Sequence, residues 1–363
     1  MFNSNFNRKK ELGILRFLRI SWPFILAVIT FICVRFAVKN PLSVEEVYSD
    51  GFYPHFAAFF SSFSKLFSFS LWDLFWLVTI LSLIAGIVLV IMKRLRLLTL
   101  LLLSAQILSV LYVYFYISWG FNYFRPGIDK RTELNLIKVD EKLFRSMLDT
   151  VIVYLNRSYA EVRLEDYPEI NREVEESFER NSEILDIKYP GGFRRPKNMM
   201  FSNLIAKFGI SGYFGPFFNE INLNSRILPM EYPFLLAHEK AHQFGISNEA
   251  DANFAAFIVC SSAGDPKLRY SGYLALLLYF LEDAQYFHDY RDYLLKLDEP
   301  VIKELQFRQK YYFGLQNEAM GKAQETVYDA YLKSNHVTHG IKNYNQVVEL
   351  AISWLNREPK LSR

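Results

Sequence analysis

The stretch Pro233-Phe-Leu-Leu-Ala-His-Glu-Lys-Ala-His-Gln-Phe-Gly245 decides how the C-terminal two thirds of this chain are read. Inside it, His238, Glu239 and His242 form an H-E-x-x-H pattern. On an α-helix, positions i and i+4 share a face, so both imidazoles reach one metal ion. Glu239 lies beside them, where a carboxylate can take a proton from a metal-activated water. Phe234, Leu235, Leu236 and Ala237 are apolar, as expected of a buried helix that carries a site. Gly245 ends that helix, because glycine tolerates the left-handed conformation just past a C-cap. The pattern implies a zinc-dependent hydrolase, with a peptidase as the leading expectation.

Catalytic zinc takes three protein ligands and leaves one position open for water. The next segment, Ser247-Asn-Glu-Ala-Asp-Ala-Asn-Phe-Ala-Ala-Phe257, starts a second helix. Asn248 is its expected N-cap, and Asp251, three residues on, completes a capping box. Glu249 in the first turn is the best third ligand, and Asp251 is its competitor. Asn253, four residues beyond Glu249, is placed to hold a ligand histidine through a hydrogen bond.

Glu249-x-x-Ala252-Asn253 resembles the E-x-x-[AS]-D signature that supplies the third ligand in gluzincin metallopeptidases, with Asn253 in place of the usual Asp. The spacing of Gly245 after His242 is also similar to the metzincin pattern, but the slot of that family's third histidine is Asn248, a poor zinc ligand. Nearly the whole chain resembles a family of bacterial membrane proteins described as a domain of unknown function. Its members have three N-terminal spans and an HE-x-AHQ-x-G plus E-x-x-AN-[FY] core. The matching pieces are Tyr48 to Pro54, Trp119 to Pro126, Gly209 to Gly212, Pro216 to Glu220, His238 to Phe254, and Val327 to Asn335. The resemblance implies a zinc metallopeptidase and names no substrate.

The 363 residues divide sharply by composition. Overall they are 51% hydrophobic and 17% aromatic, with a net charge of +3, but the first third is nearly all apolar. About 20 apolar residues cross a bilayer. Three segments qualify, at about 20–38, 71–92 and 97–119. Arg8, Lys9, Lys10, Arg16 and Arg19 precede the first span, and Lys93, Arg94 and Arg96 lie between the second and third. Basic residues stay on the cytoplasmic side. The N-terminus is therefore expected in the cytoplasm and everything after Trp119 outside it, in a bacterial plasma (inner) membrane. No small-residue cleavage site follows Val38, so the first span reads as an uncleaved anchor. The aromatic 55–69 segment reads as an amphipathic stretch along the outer interface. Cys33 and Cys260 fall in separate regions, and no disulfide is expected. The small net charge, and the absence of runs mixing basic and aromatic residues, argue against a nucleic-acid partner.

The expected architecture is an α-helical membrane anchor of three transmembrane helices over residues 1–123. It is followed by a mainly α, α+β zincin-like exposed domain over 124–363, with a small sheet before the H-E-x-x-H helix. Gly212 to Asn224 reads as strand. Glu220, Ile221, Asn222, Leu223 and Asn224 alternate, as in a half-buried strand, and an edge strand here would pair with a substrate backbone. Leu268 to Tyr286 reads as a buried helix over the site, since its uninterrupted apolar core is too short to cross a bilayer. The charges of His288 to Asp292 and Glu304 to Tyr312 read as solvated helix faces. Tyr331, His336, His339 and Tyr344 are candidates to stabilise an oxyanion, Tyr331 and His339 foremost. In the expected mechanism His238, His242 and Glu249 hold Zn²⁺ and Glu239 is the general base. The partners are a peptide or protein substrate and the lipid bilayer. The alternative is a non-catalytic zinc-containing membrane sensor or assembly factor that binds peptides or proteins.

Overall fold

The computed structural model describes residues 2–191, 194–335 and 346–357, with side chains from residue 19 onward. Three stretches are long and apolar enough to cross a membrane and mark a membrane-embedded protein. They are Arg19–Ala37 within α1 (Phe2–Ala37), and two helices, Leu71–Ile91 and Leu97–Ser118. Their bounds fall within a residue or so of the expected ones. Between the first two lies α2 (Tyr53–Ser64), so the second and third spans are α3 and α4. The side chains of α3 and α4 are largely exposed Leu, Ile and Val, the pattern of a lipid-facing helix. Val34 and Ala37 at the end of α1 cluster with Tyr116 at the end of α4 and with Phe124 in the helical turn just beyond it. At the other end, Gln106 donates to Ile20 O at 2.9 Å. α1 and α4 therefore pack side by side in the same direction, and α3 runs the opposite way. The ends at Ala37, Leu71 and Ser118 share one side, the side that holds the rest of the chain.

The 39–70 segment is ordered as helix. Residues Val44–Phe52 wind wider than an α-helix and lead into α2. α2 buries Tyr53, Ala57, Ser61 and Ser64 and exposes Phe59 and Phe63. The face expected to meet water instead docks on the C-terminal part of the protein. Tyr53 donates to Gln243 O at 2.7 Å, and Ser64 donates to Glu220 at 2.7 Å.

That C-terminal part is mostly helical around a small sheet. Its principal helices are α5 (Glu141–Ser158), α6 (Tyr167–Arg180), α7 (Tyr232–Gln243), α8 (Glu249–Ser261), α9 (Pro266–Ala284), α10 (Glu299–Leu315), α11 (Glu318–Ser334) and α12 (Gln346–Leu355). α8 is buried all round from Glu249 to Cys260, so it is the central helix of the core. α6, α7, α9 and α12 pack on it. Pro233 starts α7 and Gly245, at φ +85°, stops it, a position where a side chain would be strained. α9 is buried along most of its length, as expected of Leu268 to Tyr286. Cys33 and Cys260 are both unpaired.

The expected single strand over Gly212 to Asn224 is two strands. β1 (Lys197–Asn198) lies parallel to β3 (Glu220–Leu223), and β2 (Gly212–Gly215) pairs antiparallel on the other side of β3. The alternating segment is thus the centre of the sheet, and all four β3 residues are buried. Glu220 tolerates burial because it is saturated with donors. Ser64 (2.7 Å), Ser70 (3.1 Å), the Trp72 N–H (2.7 Å) and Lys197 Nζ (2.5 Å) all reach it. β1 and β2 are the two edges of the sheet, and β2 is the edge that lies against Glu239.

Candidate metal centre

α7 and α8 bring His238, His242 and Glu249 together, with one ligand atom of each within 4.8 Å of the others. The two Nε2 atoms lie 3.2 Å apart. His238 Nε2 is 3.3 Å from Glu249 Oε2, and His242 Nε2 is 3.5 Å from Glu249 Oε1. The pairing follows from local sequence. The i, i+4 spacing stacks the imidazoles on one face, and the turn at Gly245 folds α8 back so that its first residue meets them. Asn248 caps α8 as expected, accepting from the N–H groups of Ala250 (2.8 Å) and Asp251 (3.2 Å).

Two expectations about this turn are corrected. Asp251 does not complete the capping box: its carboxylate accepts the Ile128 N–H at 2.9 Å. Burial is the first cause of its pKa rising to about 6. It lies outside the His-His-Glu cluster, which removes it as the competing third member. Asn253 does not hold a ligand histidine, and its Nδ2 is buried without a partner, as is His238 Nδ1. The ring of His242 is held by the main chain instead. Its Nδ1 lies 2.7 Å from Ile246 O, because the left-handed Gly245 brings that carbonyl back over the ring. A carbonyl only accepts, so Nδ1 carries the hydrogen. In the neutral ring, the Nε2 lone pair then faces His238 and Glu249.

The electrostatics of the cluster are internally coupled. Burial opposes charge on His242, but Glu249 outweighs it and raises the ring to about 9. Burial likewise opposes charge on Glu249, and the two histidines hold it well below the usual carboxylate range. Glu239 behaves differently. Burial raises its pKa, with the charge of Glu249 adding to that rise and the two histidines opposing it. Its Oε2 is buried and unpartnered. It lies against the edge strand: a Cβ at Gly212 would come within 2.6 Å of Glu239 Oε1. Glycine at 212 is therefore what lets β2 and the carboxylate approach.

Behind α7, Lys240 is fully buried and pairs with Glu175, which also accepts from Arg194 at 2.7 Å. Burial pushes the Glu175 carboxyl up, but these two cations outweigh it and lower its pKa. The variable positions of the motif thus carry their own anchor. The carbonyls at the end of α7 are orphans of the helix; those of Lys240 and Ala241 accept from the turn that follows, and those of His242, Gln243 and the turn residue Gly245 accept from groups near the membrane. Trp119 Nε1 donates to His242 O (2.9 Å), Tyr53 to Gln243 O (2.7 Å) and Arg125 Nη1 to Gly245 O (3.0 Å). Arg125 is fixed in turn by Glu45 through Nε at 2.8 Å.

The tyrosine that reaches the cluster is Tyr328 of α11, whose hydroxyl donates to Glu249 Oε1. Tyr331, one turn later, stacks on Tyr328 with centroids 6.1 Å apart, and its hydroxyl meets that of Tyr123 at 3.3 Å. Burial, with a contribution from Glu249, raises Tyr331 to about 12 and Tyr123 well above its ordinary value. Both hydroxyls stay protonated donors. His336, His339 and Tyr344 lie outside the described residues. Sequence reasoning marked the Val327 to Asn335 segment but had no local signal to prefer Tyr328 over Tyr331.

A cavity of about 370 Å³ opens among α7, α9 and α10, lined by Ser211, Phe234, Leu235, Leu274, Leu278 and Tyr279 among others. The charges expected to be solvated do structural work beside it. Arg308 donates to Glu231 at 2.6 Å, and Tyr312 donates to the same carboxylate just before α7. Further off, Arg145 pairs with Asp289 at 2.6 Å.

These features define a mostly helical, membrane-embedded protein carrying a buried His-His-Glu cluster beside a three-stranded sheet. The chain belongs to the family described as Protein of unknown function (DUF3810), whose profile matches residues 48–352. Among curated proteins and among solved structures, nothing matches it.

Proposed function

We propose that this protein is a membrane-anchored zinc metallopeptidase whose domain over 124–363 is zincin-like and stands on an anchor formed by residues 1–123. The observation that carries the reading is the geometry around His242. Its Nδ1 is committed to Ile246 O, its Nε2 faces His238 Nε2 and the Glu249 carboxylate, and Glu239 is buried beside them. Two imidazole nitrogens and one carboxylate are the donor set of a catalytic zinc site. The residues fit that ion: three donors converge, and an unpartnered carboxylate oxygen lies next to them. Zinc held there would polarise a scissile carbonyl and lower the pKa of a water toward about 7.

The protein's own groups supply the rest. Glu239, with its raised pKa and free oxygen, takes the proton of the attacking water and returns it to the leaving amine. Tyr328 holds Glu249 in place, and Tyr331 and Tyr123 add protonated hydroxyls nearby that suit a developing oxyanion. The unpaired side of β2 offers backbone groups to an extended peptide. The basic residues at 8–19 and 93–96 support a cytoplasmic N-terminus and an extracytoplasmic peptidase domain in the bacterial plasma membrane.

The test compares Glu239→Gln with His238→Ala in the full chain. Glu239→Gln keeps shape and zinc content but loses basicity, and turnover or complementation of a deletion strain should drop about a hundredfold or more. His238→Ala should lose zinc as well. A fully functional Glu239→Gln beside a dead His238→Ala would make the metal structural and the protein a peptide-binding module.

A further inference from the structure

We propose that the site acts on a substrate that is itself tethered to the membrane, and that it takes the extended segment immediately next to the tether. This deepens the peptidase reading and rests on it. The argument is where the edge strand is nailed. Tyr213 of β2 donates its hydroxyl to Asp73, in the first turn of the spanning helix α3. Phe214 packs on Trp119, the residue that ends the spanning helix α4, with ring centroids 5.6 Å apart. A Cβ at Gly215 would touch Trp72 Cβ at 3.0 Å. The remaining strand residue, Gly212, lies against Glu239. Each of these four residues therefore lies against either a span end or Glu239.

The distances set the scale. Gly215 at the span end and Gly212 at Glu239 are three residues of strand apart, about 10 Å. The headgroup layer on each side of a bilayer is roughly 5–8 Å deep. The ends of all three spans share this side, and Trp72, Trp76 and Trp119 lie there, as in the aromatic belt of a membrane interface. Phe59 (66% exposed) and Leu66 (77% exposed) extend the same level with apolar side chains that have no protein cover. A peptide added to β2 would lie at the membrane surface, within reach of a segment only a few residues from its anchor. A five-residue spacer spans at most about 18 Å, which this site accommodates and a site held well above the bilayer would not.

The experiment uses the full chain carrying Glu239→Gln, so that it reads binding rather than turnover, in nanodiscs of phosphatidylcholine and phosphatidylglycerol. A photoreactive residue replaces Ser211, beside β2. The probes are one extended Val/Thr-rich decapeptide in three forms: free in solution, joined to a Leu/Ala transmembrane helix by a Gly/Ser spacer of about 5 residues, and joined by one of about 30. The short-spacer probe should label at least as strongly as the long one, and both at least about tenfold above the free peptide at equal total concentration. Labelling confined to the long spacer, equal labelling of the free peptide, or no labelling of any probe would overturn the proposal. A nitroxide at Ser211→Cys in a Cys33→Ser background gives an independent reading. Its depth should fall within about 10 Å of the phosphate plane, and a label standing clear of the membrane in bulk water would also overturn it. Neither readout depends on zinc. Loss of the peptidase reading by metal analysis would leave the interfacial placement standing, and loss of the placement would leave the peptidase reading standing.

Discussion

Replacing Gly212 by alanine adds one methyl group where β2 meets Glu239. The new Cβ would lie 2.6 Å from Oε1, 3.0 Å from Cγ and 3.1 Å from Cδ of Glu239, where ordinary contact begins at 3.4 Å. The carboxylate oxygen must therefore retreat by about 0.8 Å. Glu239 is only 4% exposed, so it cannot relieve the clash by swinging into solvent. A misplacement near 1 Å at a reacting group costs on the order of a hundredfold in rate. Gly212→Ala should therefore lower turnover about 10- to 100-fold, or about 1.4–2.7 kcal/mol of transition-state stabilisation. Overpacking should cost about 1–3 kcal/mol of stability. Zinc content should not change, because the atoms nearest the new group all belong to Glu239 and none to His238, His242 or Glu249. The assay is turnover or complementation alongside metal analysis. The same substitution is then made in a Glu239→Gln background, where it should cost little more, since the base is already gone. Wild-type turnover in Gly212→Ala, or an equal additional loss in the Glu239→Gln background, would refute the placement of Glu239 as base against this strand.

Glu220→Gln should strip Lys197 of its buried charge partner and weaken the dock between β3 and the start of α3. Breaking a buried pair costs about 3–5 kcal/mol, and thermal unfolding in detergent together with limited proteolysis at residues 65–70 reads it; an unchanged melting temperature would count against the dock. A reporter fused after Arg363 should be active outside the cytoplasm and one near Arg94 inside it, and the reverse pattern would overturn the orientation drawn from the basic clusters.

The parts of the site legible in the sequence are those set by local geometry. His238 and His242 are one helical turn apart, Asn248 caps the next helix, and Glu249 follows at once, so periodicity and capping rules reach all of them. The spans were equally legible, because length and hydropathy suffice. What was missed depends on distant pairs. Trp119 and His242 are 123 positions apart, Tyr53 and Gln243 are 190, and Tyr328 and Glu249 are 79. No periodicity reports such contacts. The matching pieces Tyr48 to Pro54, Trp119 to Pro126 and Gly209 to Gly212 contain Tyr53, Trp119, Arg125 and Gly212, yet only the fold shows that they converge on α7. Glu220 misled for a related reason. Its alternation with Ile221 suggested a wet face, but donors from Ser64, Ser70 and Trp72 replace water there.

The most direct measurement of the central claim is the zinc content of the purified full-length protein, by mass spectrometry of the metal, in the wild type and in three variants. The account predicts about one zinc per chain in the wild type, since three donors and one open position complete a site. Glu239→Gln and Asp251→Asn should retain it, because neither side chain belongs to the His238–His242–Glu249 cluster. Glu249→Gln should lose most of it. A wild-type protein purified without chelators that neither carries zinc nor takes it up, or a Glu249→Gln variant that retains it in full, would contradict the account.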